Sequence, residues 1–462
     1  MNREMKITFF GAAGGVTGSR HFLEIGRQKI LFDCGFFQGR RSETYQANSV
    51  LPEKMKEATA VILSHAHADH CCSLPLLVKN GFVGPIYATS ATAAIAHLIM
   101  LDAAKIQSGD YNYLIKRGFK NLLPPVYDED DVEKTRHLFK DVGYHVNQTI
   151  GSSISFKFYD AGHILGSAVT VLKTPEKNIV YTGDLGNVGL PILPDPEMIK
   201  EEAEIIISES TYGDREHSPV KDSYDLIKKL VLKIIKEKSR IIIPAFALGR
   251  TQEIIYILHK LYKDGNIPAV PIYVDSPLSN NITDVFRQYN SDFDLETWQD
   301  FLMDGDSPFS FNRLNYIETV EESKSLNNKT GPLIIIASSG MLEGGRVLHH
   351  LRNDIGNPKS TILLTGYQAE NTLGRRLEMG AKTAKIFGEE FKVKERIIKI
   401  DKLSAHADRW QLLDYIEKIK GLKKVFLVHG EKEAAISLAK LIKEKKPYLE
   451  VIIPKLGETF KI

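Results

Sequence analysis

The chain has 462 residues, 43% hydrophobic and 26% charged, so it can bury a large core and is not a disordered or low-complexity segment. Lysine and arginine number 60 against 58 aspartates and glutamates, a formal charge of +2; that balance excludes a basic nucleic-acid coat protein and a polybasic membrane anchor, but not a local basic groove. Three cysteines, Cys34, Cys71 and Cys72, exclude a disulfide framework and lead us to expect a reducing, cytoplasmic setting. At about 150 residues per domain, the length suits three domains or two larger ones.

In chain order, Met1–Phe10 shows no apolar leader, and no later apolar run approaches the ~18 residues of a membrane span. Segments 6–10, 21–25, 29–32, 154–159 and 168–172 read as strands, several separated by glycine-rich turns. Gly11–Gly18 lacks dinucleotide-loop spacing and precedes a strand, so it reads as a turn. Four apolar runs stop abruptly at small or polar residues: Val61-Ile62-Leu63 before Ser64-His65, Ile179-Val180-Tyr181 before Gly183-Asp184, Ile205-Ile206-Ile207 before Ser208-Glu209, and Val425–Val428 before His429-Gly430. Such runs read as buried strands whose ends carry a site. From residue 219 the pattern changes. Segment 219–236 has apolar residues at helical spacing, with Ser218 as N-cap and Pro219 in the first turn. Strands at 240–243, 271–274, 333–337 and 361–364 alternate with helical segments, which predicts a parallel α/β sheet. Segment 290–310 reads as a loop-rich excursion. Strand, helix and strand return at 396–400, 409–419 and 425–428.

The strongest chemical signal is His65-Ala66-His67-Ala68-Asp69-His70. Imidazole and carboxylate are the ligands zinc and similar ions use, and a tight loop after a strand can aim His65 and His67 at one ion and Asp69 and His70 at a second. One loop cannot fill two coordination spheres. His163, Asp184 and His429, each near the end of a strand, are the expected completing ligands, and Asp184 could bridge both ions. Asp33 ends a strand before Cys34-Gly35. It could be a ligand or a turn cap; the favoured reading is an acceptor behind the ligands that orients their loop.

These motifs, in this order, resemble the metallo-β-lactamase superfamily, with His65–His70 as its HxHxDH signature. Ser208–Gly213, Leu403–Asp408 and Leu427–Glu431 resemble motifs A, B and C of the β-CASP nucleases. Ala337–Met341, Gly344-Gly345-Arg346 and Gly366-Tyr367-Gln368 are also similar to β-CASP sequences. A histidine in motif C is similar to the RNA-processing branch, where DNA-processing members usually carry valine. Five residues precede the first strand, so the N-terminal KH domains of some archaeal relatives are expected to be absent. Cys71-Cys72 departs from the residues common after the signature.

The resemblance implies an αβ/βα sandwich, residues 1–208 and 395–462, interrupted by a Rossmann-like β-CASP domain at 209–394. It implies two zinc ions, the first held by His65, His67, His163 and Asp184, the second by Asp69, His70, Asp184 and His429. It implies hydrolysis of RNA by a hydroxide at the dinuclear centre, leaving 5′-phosphate and 3′-hydroxyl ends. Asp69, Glu209 and His406 are the expected catalytic residues, with His406 as general acid and Glu209 orienting it. Ser338, Ser339, Arg346, Arg375, Arg376 and Ser404 are expected to contact substrate phosphates in an interdomain groove that takes single-stranded RNA. A homodimer is compatible with this reading. The competing functions are a small-molecule lactone, thioester or lactam hydrolase, and an inactive RNA-binding scaffold.

Overall fold

The computed structural model describes residues 4–39, 41–120, 122–400 and 403–462; Met1–Arg3, part of the segment read for a leader, lie outside them. The chain forms two compact units, one of residues 1–188, 195–216 and 406–462, the other of 189–194 and 217–405. Glu209 and the following seven residues thus belong to the first unit, and residues 395–405 to the second.

The first unit contains two seven-stranded sheets. In one, Met5–Phe9, His21–Ile25 and Gln28–Phe32 pair antiparallel, and Ala60–Ile62, Ile86–Ala88 and Phe139–Asp141 extend the edge in parallel. In the other, Lys424–Val428, Ile205–Glu209 and Asn178–Tyr181 are parallel neighbours, followed by the antiparallel strands Ala168–Lys173, Ile154–Asp160 and Gln148–Ile150. Strand alternation decides which side chains meet. Ile179, Tyr181, Ile205, Ile207, Phe426 and Val428 pack against Ile7, Phe9, Leu23, Ile30, Phe32 and Ile62 of the first sheet. On the other face, Val180, Ile206, Val425 and Leu427 pack against Leu412, Leu413 and Ile416 of helix Arg409–Lys418 and Leu438 and Ile442 of helix Lys432–Lys445. Each such fully buried side chain contributes about 1.5–3 kcal/mol. Both faces are covered, so these strands read as unbroken apolar runs that end only where the chain leaves the sheet.

The second unit is built on a six-stranded sheet in the order Leu314–Tyr316, Ile272–Val274, Leu333–Ala337, Arg240–Pro244, Thr361–Leu364 and Arg396–Lys399, all parallel. Leu333, Ile335, Ile362 and Leu364 bury one face with Val347 and Leu351 of helix Val347–Asp354. The expected N-cap is not where the sequence placed it: the helix runs Lys221–Glu237, with Val220 at the N-cap and no side-chain cap. Segment 290–310 contains a short helix, Leu295–Asp300, capped by Asp294.

The largest departure from the sequence reading is a 27-residue helix, Ser90–Lys116, within the half read as strand-rich. The Thr89 side chain caps it by accepting from Thr92 N. Its buried residues include Ala91, Ile95, Ala96, Met100 and Ala104, mostly small, so its core-facing stripe carries little hydrophobic contrast. Among the described residues, no helix is long and apolar enough to cross a membrane.

Candidate metal centre

The centre lies wholly within the first unit, at the ends of its strands. Four side chains, His65, His67, His163 and Asp184, place one ligand atom each within 4.8 Å of one another. His67 Nδ1 lies 3.1 Å from His65 Nε2 and 3.2 Å from His163 Nε2. Asp184 Oδ2 lies 3.4 Å from His65 Nε2 and 3.6 Å from His163 Nε2. Tetrahedral ligands about 2.0–2.1 Å from one zinc ion stand about 3.3 Å apart, so this quartet has the spacing of a zinc sphere. Asp69, His70 and His429 form an adjoining group. His429 Nε2 is 3.4 Å from Asp69 Oδ2, its Nδ1 is 3.4 Å from Asp184 Oδ1, and His70 Nε2 is 3.5 Å from that same oxygen. His70 Nε2 and Asp184 Oδ1 are buried and have no hydrogen-bond partner among the described residues. Two unbonded buried polar atoms facing each other are costly unless a cation, a proton on the imidazole or a metal ion, lies between them, so the donor set fits the metal the motifs imply.

Asp33 sets the orientation of the loop. Its Oδ1 accepts from Ser64 N at 2.7 Å. Its Oδ2 accepts from Ser64 Oγ at 2.7 Å, from His70 Nδ1 at 2.6 Å and from Tyr181 Oη. Ser64 Oγ gives its only proton to Asp33, so the 3.0 Å contact with His65 Nδ1 requires that nitrogen to donate. Both His65 and His70 therefore carry a proton on Nδ1 and turn Nε2 towards Asp184. One buried carboxylate fixes two tautomers. Burial and the neighbouring imidazoles hold His65 well below the usual imidazole range, and burial holds His67 near about 3, which favours the neutral, ligating form.

Close backbone approach makes two glycines necessary. A Cβ on Gly35 would lie 1.6 Å from Asp69 O, and a Cβ on Gly183, at φ 53°, would lie 2.5 Å from Ser64 Cβ. The Gly11–Gly18 turn is structural: Ala12 O accepts from His429 N at 2.7 Å and helps fix the end of the Lys424–Val428 strand.

Glu209 and His406 sit beside this cluster. Both Glu209 carboxylate oxygens are 3.2 Å from His406 Nδ1. Leu185 N donates to Glu209 Oε1 at 2.6 Å, and Ala407 N donates to Leu185 O at 2.8 Å. Glu209 is fully buried, while the His406 side chain is 20% exposed. Burial works against charge on His406, but Glu209 more than offsets it and raises the imidazole above its ordinary value. Glu209 itself is lowered, burial again being outweighed by His406.

Several contributors carried no sequence signal of function: Ser64, Tyr181 and Leu185 N; Thr211, within the motif A segment but given no role there, has its Oγ1 3.2 Å from His429 Nδ1. Ser64 adjoins His65, and only the relay to Asp33 distinguishes it from an ordinary loop serine. The three cysteines are buried and free. Cys71 Sγ donates to Ala66 O at 3.4 Å.

The expected phosphate contacts lie in the second unit. Ser338 Oγ donates to Ser276 Oγ at 3.1 Å, and Ser339 Oγ accepts from Glu343 N at 3.2 Å. Arg346 is engaged with Asp275 at 2.7 Å and with the Glu318 carbonyl at 2.9 Å; Arg375 pairs with Glu378 at 2.9 Å; Arg376 is exposed.

A sandwich whose strand ends gather histidines and aspartates into clusters that could hold metal ions has the form of a metallohydrolase with the metallo-β-lactamase fold. A metallo-β-lactamase superfamily domain model matches residues 22–188, a Beta-Casp domain model residues 251–377, and a Zn-dependent metallo-hydrolase RNA specificity domain model residues 390–454. Ribonuclease TTHA0252 of Thermus thermophilus is 35% identical over 455 residues, 98% of this chain and 99% of its own. An RNase J-like protein of Methanocaldococcus jannaschii is 32% identical, covering 94% of this chain and 95% of its own. Transcription termination factor FttA of Methanosarcina mazei is 31% identical over 96% of this chain and 69% of its own. The chain belongs to the β-CASP family of metallohydrolases. A crystal structure of a protein of unknown function from Enterococcus faecalis V583 covers 99% of this chain at TM-score 0.57 and 16% identity, a likeness of fold.

Proposed function

We propose that the chain is a zinc-dependent ribonuclease that holds two zinc ions and hydrolyses phosphodiester bonds of single-stranded RNA in the cytoplasm, leaving 5′-phosphate and 3′-hydroxyl ends. The observation that carries this reading is the position of Asp184: its Oδ2 faces His65 and His163, its Oδ1 faces His70 and His429, and the Glu209–His406 pair lies beside it. The names of the Thermus and Methanocaldococcus relatives support ribonuclease chemistry over hydrolysis of a lactone or lactam.

His65, His67, His163 and Asp184 would hold the first ion, and Asp69, His70, Asp184 and His429 the second. Bound there, the pair supplies Lewis-acid charge for the phosphodiester and acidifies a water at neutral pH. Asp33 and Ser64 keep His65 and His70 in the ligating tautomer. His406 delivers a proton to the departing 3′ oxygen, and Glu209 holds its ring through Nδ1, leaving Nε2 to donate. For substrate phosphates we propose Ser338, Ser339, Ser404 and Arg376, with the remaining donors of Arg346 and Arg375. Every group in this scheme comes from one chain, so the chemistry does not require a homodimer.

The test is cleavage of end-labelled RNA and matched DNA with and without chelator. RNA cleaved with zinc, spared by chelator, and ending in 5′-phosphate is the expected result. Intact RNA together with hydrolysis of a lactone or lactam would overturn the reading.

A further inference from the structure

The surface beside the Glu209–His406 pair carries an arrangement that the hydrolytic chemistry leaves unused. Residues 212–215 run alongside 406–409: Tyr212 and Asp408 form a parallel bridge, and Arg409 N donates to Arg215 O at 3.2 Å. The pairing brings the Tyr212 ring edge-on to His406, 5.9 Å between centroids. Asp408 caps helix Arg409–Lys418 by accepting from Trp410 N at 2.9 Å and Gln411 N at 3.0 Å, which puts Trp410 in the first turn, four residues beyond His406. The indole is 42% exposed.

This exposed ring is pinned. Trp410 Nε1 and Arg409 Nη2 both donate to Glu216 Oε1, at 2.7 and 2.8 Å. The Arg409 guanidinium lies 4.8 Å from the Trp410 ring centre, and the Arg215 guanidinium 5.2 Å from that of Tyr212. Charge decides what such a surface can recognise. Arg215 is paired with Asp214 at 2.9 Å and Arg409 with Glu216, two cations against two anions. The patch is locally neutral, so it is poorly suited to drawing phosphates. It offers flat rings and guanidinium planes held in place before any ligand arrives. A nucleobase is the part of an RNA chain that matches this chemistry, because every base has a π-face.

We propose that Trp410, with Tyr212, Arg215 and Arg409, forms a nucleobase-stacking subsite beside the general acid. It takes the base of the nucleotide whose 3′ oxygen leaves, because His406 serves that oxygen and Tyr212 packs against His406. The proposal rests on the ribonuclease reading above.

The test uses the full-length, zinc-loaded protein, the W410A and W410F variants, a short RNA, and an abasic oligomer with the same sugar-phosphate backbone. W410A is expected to raise KM for the RNA roughly 5- to 100-fold with kcat and zinc content unchanged. W410F recovers most of that loss, and the abasic oligomer shows the same KM with both variants as with wild type. The chain has two tryptophans, so in a W298F background Trp410 emission alone is read, and RNA quenches it while the abasic oligomer does not. Wild-type KM for W410A on RNA, or an equal loss on RNA and abasic oligomer, would overturn the subsite while leaving the ribonuclease reading intact. A wild-type protein that cleaves no RNA would sink that reading and the subsite with it.

Discussion

Asp33→Asn tests whether one carboxylate governs the ligand loop. The substitution is nearly isosteric, and asparagine tolerates the left-handed backbone at φ 57° that Asp33 adopts. The retained amide oxygen can still accept from Ser64 N. The new NH2 faces three donors: Ser64 Oγ, Tyr181 Oη and His70 Nδ1. The hydroxyls can rotate and accept, but a protonated Nδ1 cannot. His70 must move its proton to Nε2, the atom 3.5 Å from Asp184 Oδ1, and so loses its lone pair as a ligand. Hydrogen bonds to a charged group contribute about 1.5–3 kcal/mol each. With one of four bonds kept and two rearranged, the cost to the metal-free fold is roughly 2–4 kcal/mol. Zinc affinity at the His70 site should fall ~10- to 100-fold. Urea unfolding of the chelator-stripped protein measures the first quantity, and competition against a chromogenic zinc chelator the second. Wild-type stability together with zinc affinity within about twofold of wild type would refute the relay argument.

His406→Ala should leave zinc content at wild type while cleavage falls ~10²-fold or more; loss of zinc, read by atomic emission, would make His406 a ligand instead. Gly35→Ala should destabilise the first unit and strip zinc, because its Cβ would lie 1.6 Å from the Asp69 carbonyl and neither backbone can yield; a soluble, zinc-replete G35A contradicts this. Glu395 is buried, neither carboxylate oxygen has a partner among the described residues, and burial, reinforced by Asp354, raises it well above its ordinary value. A raised folded-state value means stability is full below the unfolded value and is lost as pH climbs through the folded one. Glu395→Gln should therefore be more stable than wild type at pH 8 by ~1–3 kcal/mol, with the gain vanishing below the ordinary carboxylate range; a pH-independent difference in urea midpoint would show that folding does not raise Glu395.

The candidate ligand set was legible because its residues occupy places where the sequence changes character. Asp184, His429 and Glu209 each follow a run buried on both faces, and the polar residue that ends such a run is conspicuous. The loop His65–His70 needed no fold to be noticed, since four ligating groups fall within six residues. Helix Ser90–Lys116 was lost for the opposite reason: its buried positions are largely alanine and threonine, and its packing depends on close approach more than on bulk. Thr89 shows the difficulty, because its Oγ1 accepts from Thr92 N to cap the helix and donates to Gly166 O at 2.7 Å, a partner 77 residues away. Ser218 fails as a cap because the helix starts three residues later, where Val220 offers no side-chain acceptor. The Ser64 relay is a three-body arrangement among residues 33, 64 and 65. No spacing rule exposes it until the strands Gln28–Phe32 and Ala60–Ile62 are known to be parallel neighbours.

Arg346 and Arg375 carry the same lesson into electrostatics. Read as a sequence, an arginine after paired glycines is an obvious phosphate ligand. In the folded chain Arg346 compensates Asp275, a fully buried carboxylate that also accepts from His350 Nε2 at 2.6 Å and Ser323 Oγ at 2.5 Å. Removing Arg346 would leave that carboxylate short of a cation, so a loss of activity in R346A would report on folding of the second unit as much as on substrate binding. Arg375 is tied to Glu378 one turn along its own helix. The arginines beside Trp410 are matched to acids as well. In a chain of formal charge +2, Arg346, Arg375, Arg215 and Arg409 are already paired with acids and offer a polyanion less charge than the sequence suggests. On the proposed scheme, affinity for RNA then draws on cations at the histidine–aspartate clusters and on contacts to the bases, in addition to Arg376 and the spare donors of Arg346 and Arg375.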